Sequence, residues 1–171
     1  MQILGIDPGL STAGIGLIDV SPNGTMSALD WLSIETSPAL PLEERLLELG
    51  KDFETFLDEV KPELAVVEEL FFATNKKSAM DTAQARGVFV LLLKRRGIPV
   101  MSATPLQLKS AIAGDGKADK RQVQEMVMRT LKMKELPTPV DAADALGLAI
   151  YGAVMRKTRE LPPVRHSPAK V

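Results

Sequence analysis

Five acidic side chains stand where apolar residues would fit better. Asp7 ends the run QILGID, Glu68 and Glu69 interrupt LAVVEELFF, and Asp141 and Asp144 open the segment VDAADALGLAIYGAV. After Asp144 that last segment has no charge at all, and a helix apolar on every side is a buried one. Residues three apart on a helix are neighbours, so the two aspartates repel each other. A buried, unpaired carboxylate is also costly. The sequence therefore demands something positive in front of Asp141 and Asp144, either a basic side chain or a metal ion.

A plain structural role competes for some of these acids. Thr138 as N-cap with Pro139 at the first helical position puts Asp141 third, where one carboxylate gains ~0.3–1 kcal/mol from the helix dipole. Asp144, one turn further on, gains nothing of the kind. Asp7 precedes Pro8-Gly9, a common turn centre, but it follows an apolar run that carries it inward, and Gly9 would let another group approach closely. Strand side chains alternate, so Glu68 and Glu69 point to opposite faces. Alternation alone leaves open which of them joins a site.

Acids brought from separate elements suit a hard cation. Carboxylate oxygens without thiolate or imidazole favour Mg²⁺ or Mn²⁺. The chain has no cysteine, and its one histidine, His166, lies near the C-terminus, which argues against a His-rich zinc site and a serine triad. Carboxylate-held metals most often act on phosphates, and a pair about 3.5–4 Å apart stabilises the attacking and leaving oxygens of an in-line displacement.

The elements that must position these acids are readable. QILGID, STAGIGLIDV and MSALDWLSIET are three strands joined by short turns, hence an antiparallel meander. PLEERLLELGKDFETFLDEV has Leu42, Leu46, Leu49, Phe53 and Phe56 at helical spacing. ELAVVEEL is a fourth strand. Asn75 is a candidate cap for a helix from Lys76 to Arg96, stopped by Gly97, and IPVMSAT is the fifth strand. PLQLKSAIAG and DKRQVQEMVMRTL are helices flanking the loop GDGKA, and the Asp141–Asp144 helix comes last. The order implies an α/β domain with a five-stranded mixed sheet flanked by helices. One domain of residues 1–155 and a basic, Pro-containing, disordered tail of residues 156–171 are expected.

With these elements laid out, the chain resembles the RuvC-type crossover junction (Holliday junction) endodeoxyribonucleases. GIDPG, VVEELFF, NKKSAMDTAQARGV, GDGKADKRQVQ and DAADALGLAI match that family's motifs in order, from Gly5 to about Ala153. The resemblance implies a ribonuclease H-like fold and a dimeric endonuclease that resolves four-way DNA junctions in recombination and repair. It carries the family's four catalytic, metal-holding acids onto Asp7, Glu68, Asp141 and Asp144, and so selects Glu68 over Glu69. It implies two Mg²⁺ or Mn²⁺ ions per site, which activate a water and leave ligatable 5′-phosphate and 3′-hydroxyl ends. The family's catalytic-site lysines fall on Lys109 and Lys120, and its junction-inserting aromatic on Phe71, with Phe72 beside it. Partners implied are junction DNA, a second copy of the chain, and the RuvA/RuvB branch-migration complex.

The residues speak to some of this independently. Lys109, Lys117, Lys120 and Arg121 cluster around Gly114 and Gly116, where a basic loop beside an acidic site can reach phosphate oxygens. A solvated helix face is their plain alternative. Phe71 and Phe72 end a strand before a polar loop, so a ring there can stack on an unpaired base. Ala79, Ala83, Gly87 and Val90 lie on a helix whose plain role is to pack one face on the sheet, and it is the resemblance that implies a twin for it to pack on as well. The formal charge of −1 gives no hint of nucleic acid. The longest apolar run, VFVLLL, is too short for a bilayer, and a cytoplasmic protein is expected. Three alternatives remain: a sugar-kinase-like ATPase, for which the chain is too short, a DNA-binding protein without catalysis, and a nuclease for RNA–DNA hybrids.

Overall fold

A computed structural model describes residues 1–69 and 76–159. Phe71, Phe72, Asn75 and most of the expected tail, from residue 160 on, lie outside the described residues. Three strands come first: β1 (Gln2–Asp7), β2 (Thr12–Val20) and β3 (Met26–Glu35). They form the antiparallel meander that the short turns dictate, with Gly5 opposite Gly16 and Asp7 opposite Gly14. Helix α1 (Leu42–Glu59) returns the chain to β4 (Leu64–Glu68), which lies parallel to β1. Helix α2 (Lys76–Arg95) returns it again to β5 (Val100–Ala103), parallel to β4. Three helices follow: α3 (Pro105–Ala113), α4 (Lys120–Thr130) and α5 (Val140–Arg159).

The strands lie side by side as β3-β2-β1-β4-β5, so the strand that ends in Asp7 is central. This is the five-stranded mixed sheet of the ribonuclease H-like fold. Each face of the sheet carries its own core, as expected for helices on both sides. Leu4, Ile6, Ala65 and Val67 pack with Phe53 of α1 and Phe89 of α2. Ile3, Leu64 and Val66 pack on the other face with Leu146 and Leu148 of α5, and with Ile112 of α3 and Val127 of α4 behind it. Buried between sheet and outer helices, α5 needs the all-round apolar surface that its sequence has.

Boundaries differ from expectation in two places that matter. β4 stops at Glu68, so Glu69 is already outside the strand, though its N–H still bonds to the Ala103 carbonyl. Helix α5 starts at Val140, one residue late, so Pro139 rather than Thr138 precedes the helix, and its carbonyl accepts from the Ala142 N–H. On α2, Met80 and Leu91 are 61% and 59% exposed, and Ala83 and Gly87 are exposed between them. Among the described residues no helix is long and apolar enough to cross a membrane.

Candidate metal centre and active site

β1 and β4 run parallel with Ile6 beside Val67, so their last residues, Asp7 and Glu68, emerge at the same edge. Side-chain parity then aligns them. Asp7 follows Ile3 and Gly5 on one face, and Glu68 follows Leu64 and Val66 onto that face, the one covered by α5. Glu69 has the opposite parity and is exposed.

Helix α5 can bring its own acids here because the strands beneath it have no side chains in the way. A Cβ on Gly14 would run into the Asp141 carbonyl, and one on Gly5 into that of Ala145. A Cβ on Gly16 would stand 2.6 Å from the Leu146 nitrogen. The helix therefore rests on a glycine floor spanning β1 and β2, with its first turn over Asp7. Carboxylate oxygens of Asp7, Asp141 and Asp144 lie within 4.8 Å of one another. Gly9 also admits a close approach, with the Thr12 carbonyl of its own turn against the place where a Cβ would stand, while Gly5, Gly14 and Gly16 are the glycines that admit α5.

Burial and mutual repulsion keep these acids from ionising freely. Desolvation first, and then the Asp144 charge, push the Asp7 carboxyl up to about 6. Desolvation, followed by the Asp7 charge, pushes Glu68 up to about 8. The contact between the two carboxyls lowers Asp7 and raises Glu68, so the pair shares a proton. Lys120, the first residue of α4, places Nζ 2.8 Å from Asp144 Oδ2, and this hydrogen bond holds the lysine above its ordinary range. One cation against four carboxyls leaves excess negative charge, and an all-oxygen donor set of this kind fits a divalent hard cation.

The other basic candidates are positioned differently. Asp119 caps α4 through the Gln122 N–H, and Asp115 ties the preceding turn by accepting from the Lys117 N–H. That turn leaves Lys117 exposed, while Lys109 is half-buried on α3. Arg121 pairs with Glu125 on its own helix at 3.1 Å and not with the acids. Sequence reasoning missed Arg86. From α2 its Nε donates to the Glu68 carbonyl at 3.0 Å and its Nη2 to Ser102 Oγ at 2.8 Å, fastening the end of β4 to β5. Its position inside the motif NKKSAMDTAQARGV was the available signal.

A mixed sheet whose central parallel strands end in acids, met by a second pair from a helix, defines the class of ribonuclease H-like, metal-dependent nucleases. Within that class, the profile of the crossover junction endodeoxyribonuclease RuvC family matches residues 3–152, and the chain belongs to that family. The crossover junction endodeoxyribonuclease RuvC of Chloroflexus aurantiacus is 45% identical over 158 residues, 92% of this chain and 96% of that one. Thermus thermophilus RuvC has a similar structure, with 34% identity and a TM-score of 0.86 over 92% of this chain and 96% of its own. In complex with a Holliday junction substrate, the same Thermus protein superposes with a TM-score of 0.87 over the same shares of both chains.

Proposed function

We propose that this chain is a Holliday junction resolvase, a metal-dependent endonuclease that nicks four-way DNA junctions symmetrically in recombination and repair. The observation that carries the reading is the meeting of Asp7, Glu68, Asp141 and Asp144 at one edge of the sheet in a member of this family. These four are the catalytic, metal-holding residues. They would hold two Mg²⁺ or Mn²⁺ ions, which when bound would activate water and neutralise charge on the scissile phosphate. Water attack on phosphorus breaks the bond to the 3′ oxygen, which leaves with a proton, giving 5′-phosphate and 3′-hydroxyl ends.

The chain's own residues do the rest. Glu68 and Asp7 must lose their shared proton before both can act as ligands, so metal binding releases protons. Lys120, now on Asp144, lies within reach of a phosphate oxygen at the site, and Lys109, Lys117 and Arg121 extend positive charge along the strand. Phe71 and Phe72 are assigned to stacking near the crossover. Two copies related by a two-fold axis supply the paired cuts, and the exposed Met80–Leu91 face of α2 supports such a dimer. Work on chromosomal DNA beside the RuvA/RuvB motor would be cytoplasmic.

The test is cleavage of a labelled four-way junction against linear duplex and an RNA–DNA hybrid, with Mg²⁺, Mn²⁺ or EDTA. Symmetric nicks confined to the junction and lost in Asp144→Asn are expected. Preferential cutting of the hybrid would sink the reading, and binding without cutting under either metal would leave a DNA-binding protein.

A further inference from the structure

The molecule has a second surface of unusual chemistry next to the acids. A cleft of about 530 Å³ opens between β3 and the segment joining α4 to α5, lined among others by Trp31, Lys132, Met133, Lys134, Leu136 and Thr138. Trp31 is 37% exposed and Leu136 43% exposed, so the floor is apolar and open. Lys132 and Lys134 are exposed at its wall, and neither has an ion-pair partner among the described residues. Glu135 is the one acid among the lining residues.

The backbone at Lys132 makes the lysine conspicuous. Helix α4 ends with the Lys132 N–H on the Arg129 carbonyl and the Met133 N–H on the Met128 carbonyl, a Schellman motif. Its left-handed position, where glycine is strongly favoured, is Lys132 with φ 55°. No other non-glycine residue among those described has positive φ. A lysine at such a position, where glycine would cost less, points to a use for its side chain.

Location suggests that use. Thr138, on the cleft wall, is three residues before Asp141, no more than roughly 11 Å of extended chain. That is about three nucleotides at 3.4 Å per step along one strand. We propose that this cleft is a second, non-catalytic contact for the DNA duplex that runs on from the acid cluster. Lys132 and Lys134 take phosphate oxygens, and the Trp31 ring lies against the sugar edge. The inference rests on the resolvase reading and extends its footprint to a surface beyond the four acids and their neighbouring loop.

Binding of a fluorescent four-way junction to the full chain would be measured in EDTA, so that nothing is cut, across a series of salt concentrations. Each lost phosphate contact lowers the magnitude of the salt slope by about 0.9. Lys132→Ala with Lys134→Ala should therefore lower it by about 1.8 and weaken binding roughly tenfold at moderate salt. Lys132→Gly separates binding from folding, because glycine suits the left-handed position. It should lower the slope by about 0.9 while the Tm stays level or rises by about 2–4 °C. Trp31 is the chain's single tryptophan, so its emission should be quenched at saturating junction.

Unchanged slopes with unchanged Trp31 emission would overturn the proposal and leave the cleft to a protein partner. Loss of binding in Lys132→Gly together with a large drop in Tm would also overturn it, by making the lysine structural. Failure of the resolvase reading looks different: the wild type would then bind junction no better than linear duplex, whatever the lysines do.

Discussion

At Asp7 and Glu68 two half-buried carboxyls hold a proton between them that the unfolded chain would release, and this ties stability to pH. Both folded pKa values, about 6 and about 8, lie above the ordinary values of 3.8 and 4.5. Between about pH 4 and pH 8 the native state therefore binds more protons than the unfolded state, so these groups make stability fall as pH rises. Below that window their contribution is fully present, and above it they impose a full penalty. A divalent ion binds only the deprotonated form and so offsets the penalty, by ~2.7 kcal/mol at a hundredfold excess over its Kd. In EDTA, Glu68→Gln should thus be increasingly more stable than the wild type from pH 5 to pH 8, and saturating Mg²⁺ or Mn²⁺ should reverse the order at pH 8. Calorimetry at four pH values with and without metal decides it. A Glu68→Gln advantage that shrinks with rising pH would contradict the arrangement described.

At the scale of the element, the site is made by how close α5 can come to β1 and β2. Gly14→Ala puts a methyl group against the Asp141 carbonyl, which is backbone and cannot swing aside. The first turn of α5 must lift, at a cost of about 1–3 kcal/mol, and Asp141 and Asp144 move off Asp7. Titration calorimetry should show divalent-metal affinity lost along with the stability. Unaltered affinity in a folded Gly14→Ala protein would mean that the glycine floor does not set the site. The floor was poorly legible in STAGIGLIDV, because a glycine in a strand does not say what approaches it. The choice between Glu68 and Glu69 was hidden for a related reason. Helices cover both faces of β4, so apolar residues on both sides of LAVVEE carry no phase. The resemblance picked Glu68, and the physical reason is the layering, with Leu64 and Val66 under α5 and Ala65 and Val67 under α1 and α2. By contrast the meander and the amphipathic α1 were plain, since short turns and a one-sided apolar stripe are local signals. The charge puzzle of VDAADALGLAIYGAV was legible as a question, and the partners it required came from strands far away in sequence.

At the scale of the whole molecule, one acid cluster accounts for one nick, and resolving a junction takes two at symmetric positions. On the reading proposed above, a second copy stands across a two-fold axis and uses the same patch on both partners. Helix α2 offers such a patch. Its inner face is spent on the sheet through Ala85, Phe89 and Leu93, all fully buried. Met80 and Leu91 remain exposed, with Ala83 and Gly87 letting a partner helix approach between them, and no atom lies within 4 Å of where a Gly87 side chain would begin. A stable interface needs about 800 Å² from each partner, and a charge at its centre is poorly tolerated. Leu91→Lys should therefore shift the chain from dimer to monomer in analytical ultracentrifugation at micromolar concentration while its melting profile stays cooperative. Because the acids are remote from Leu91 in the chain and on different elements, the monomer keeps its metal site. On a supercoiled plasmid carrying an extruded cruciform, wild type should give linear product from two cuts within one encounter, and Leu91→Lys should give mostly nicked circles. A Leu91→Lys protein that stays dimeric and still makes paired cuts would move the two-fold axis away from α2.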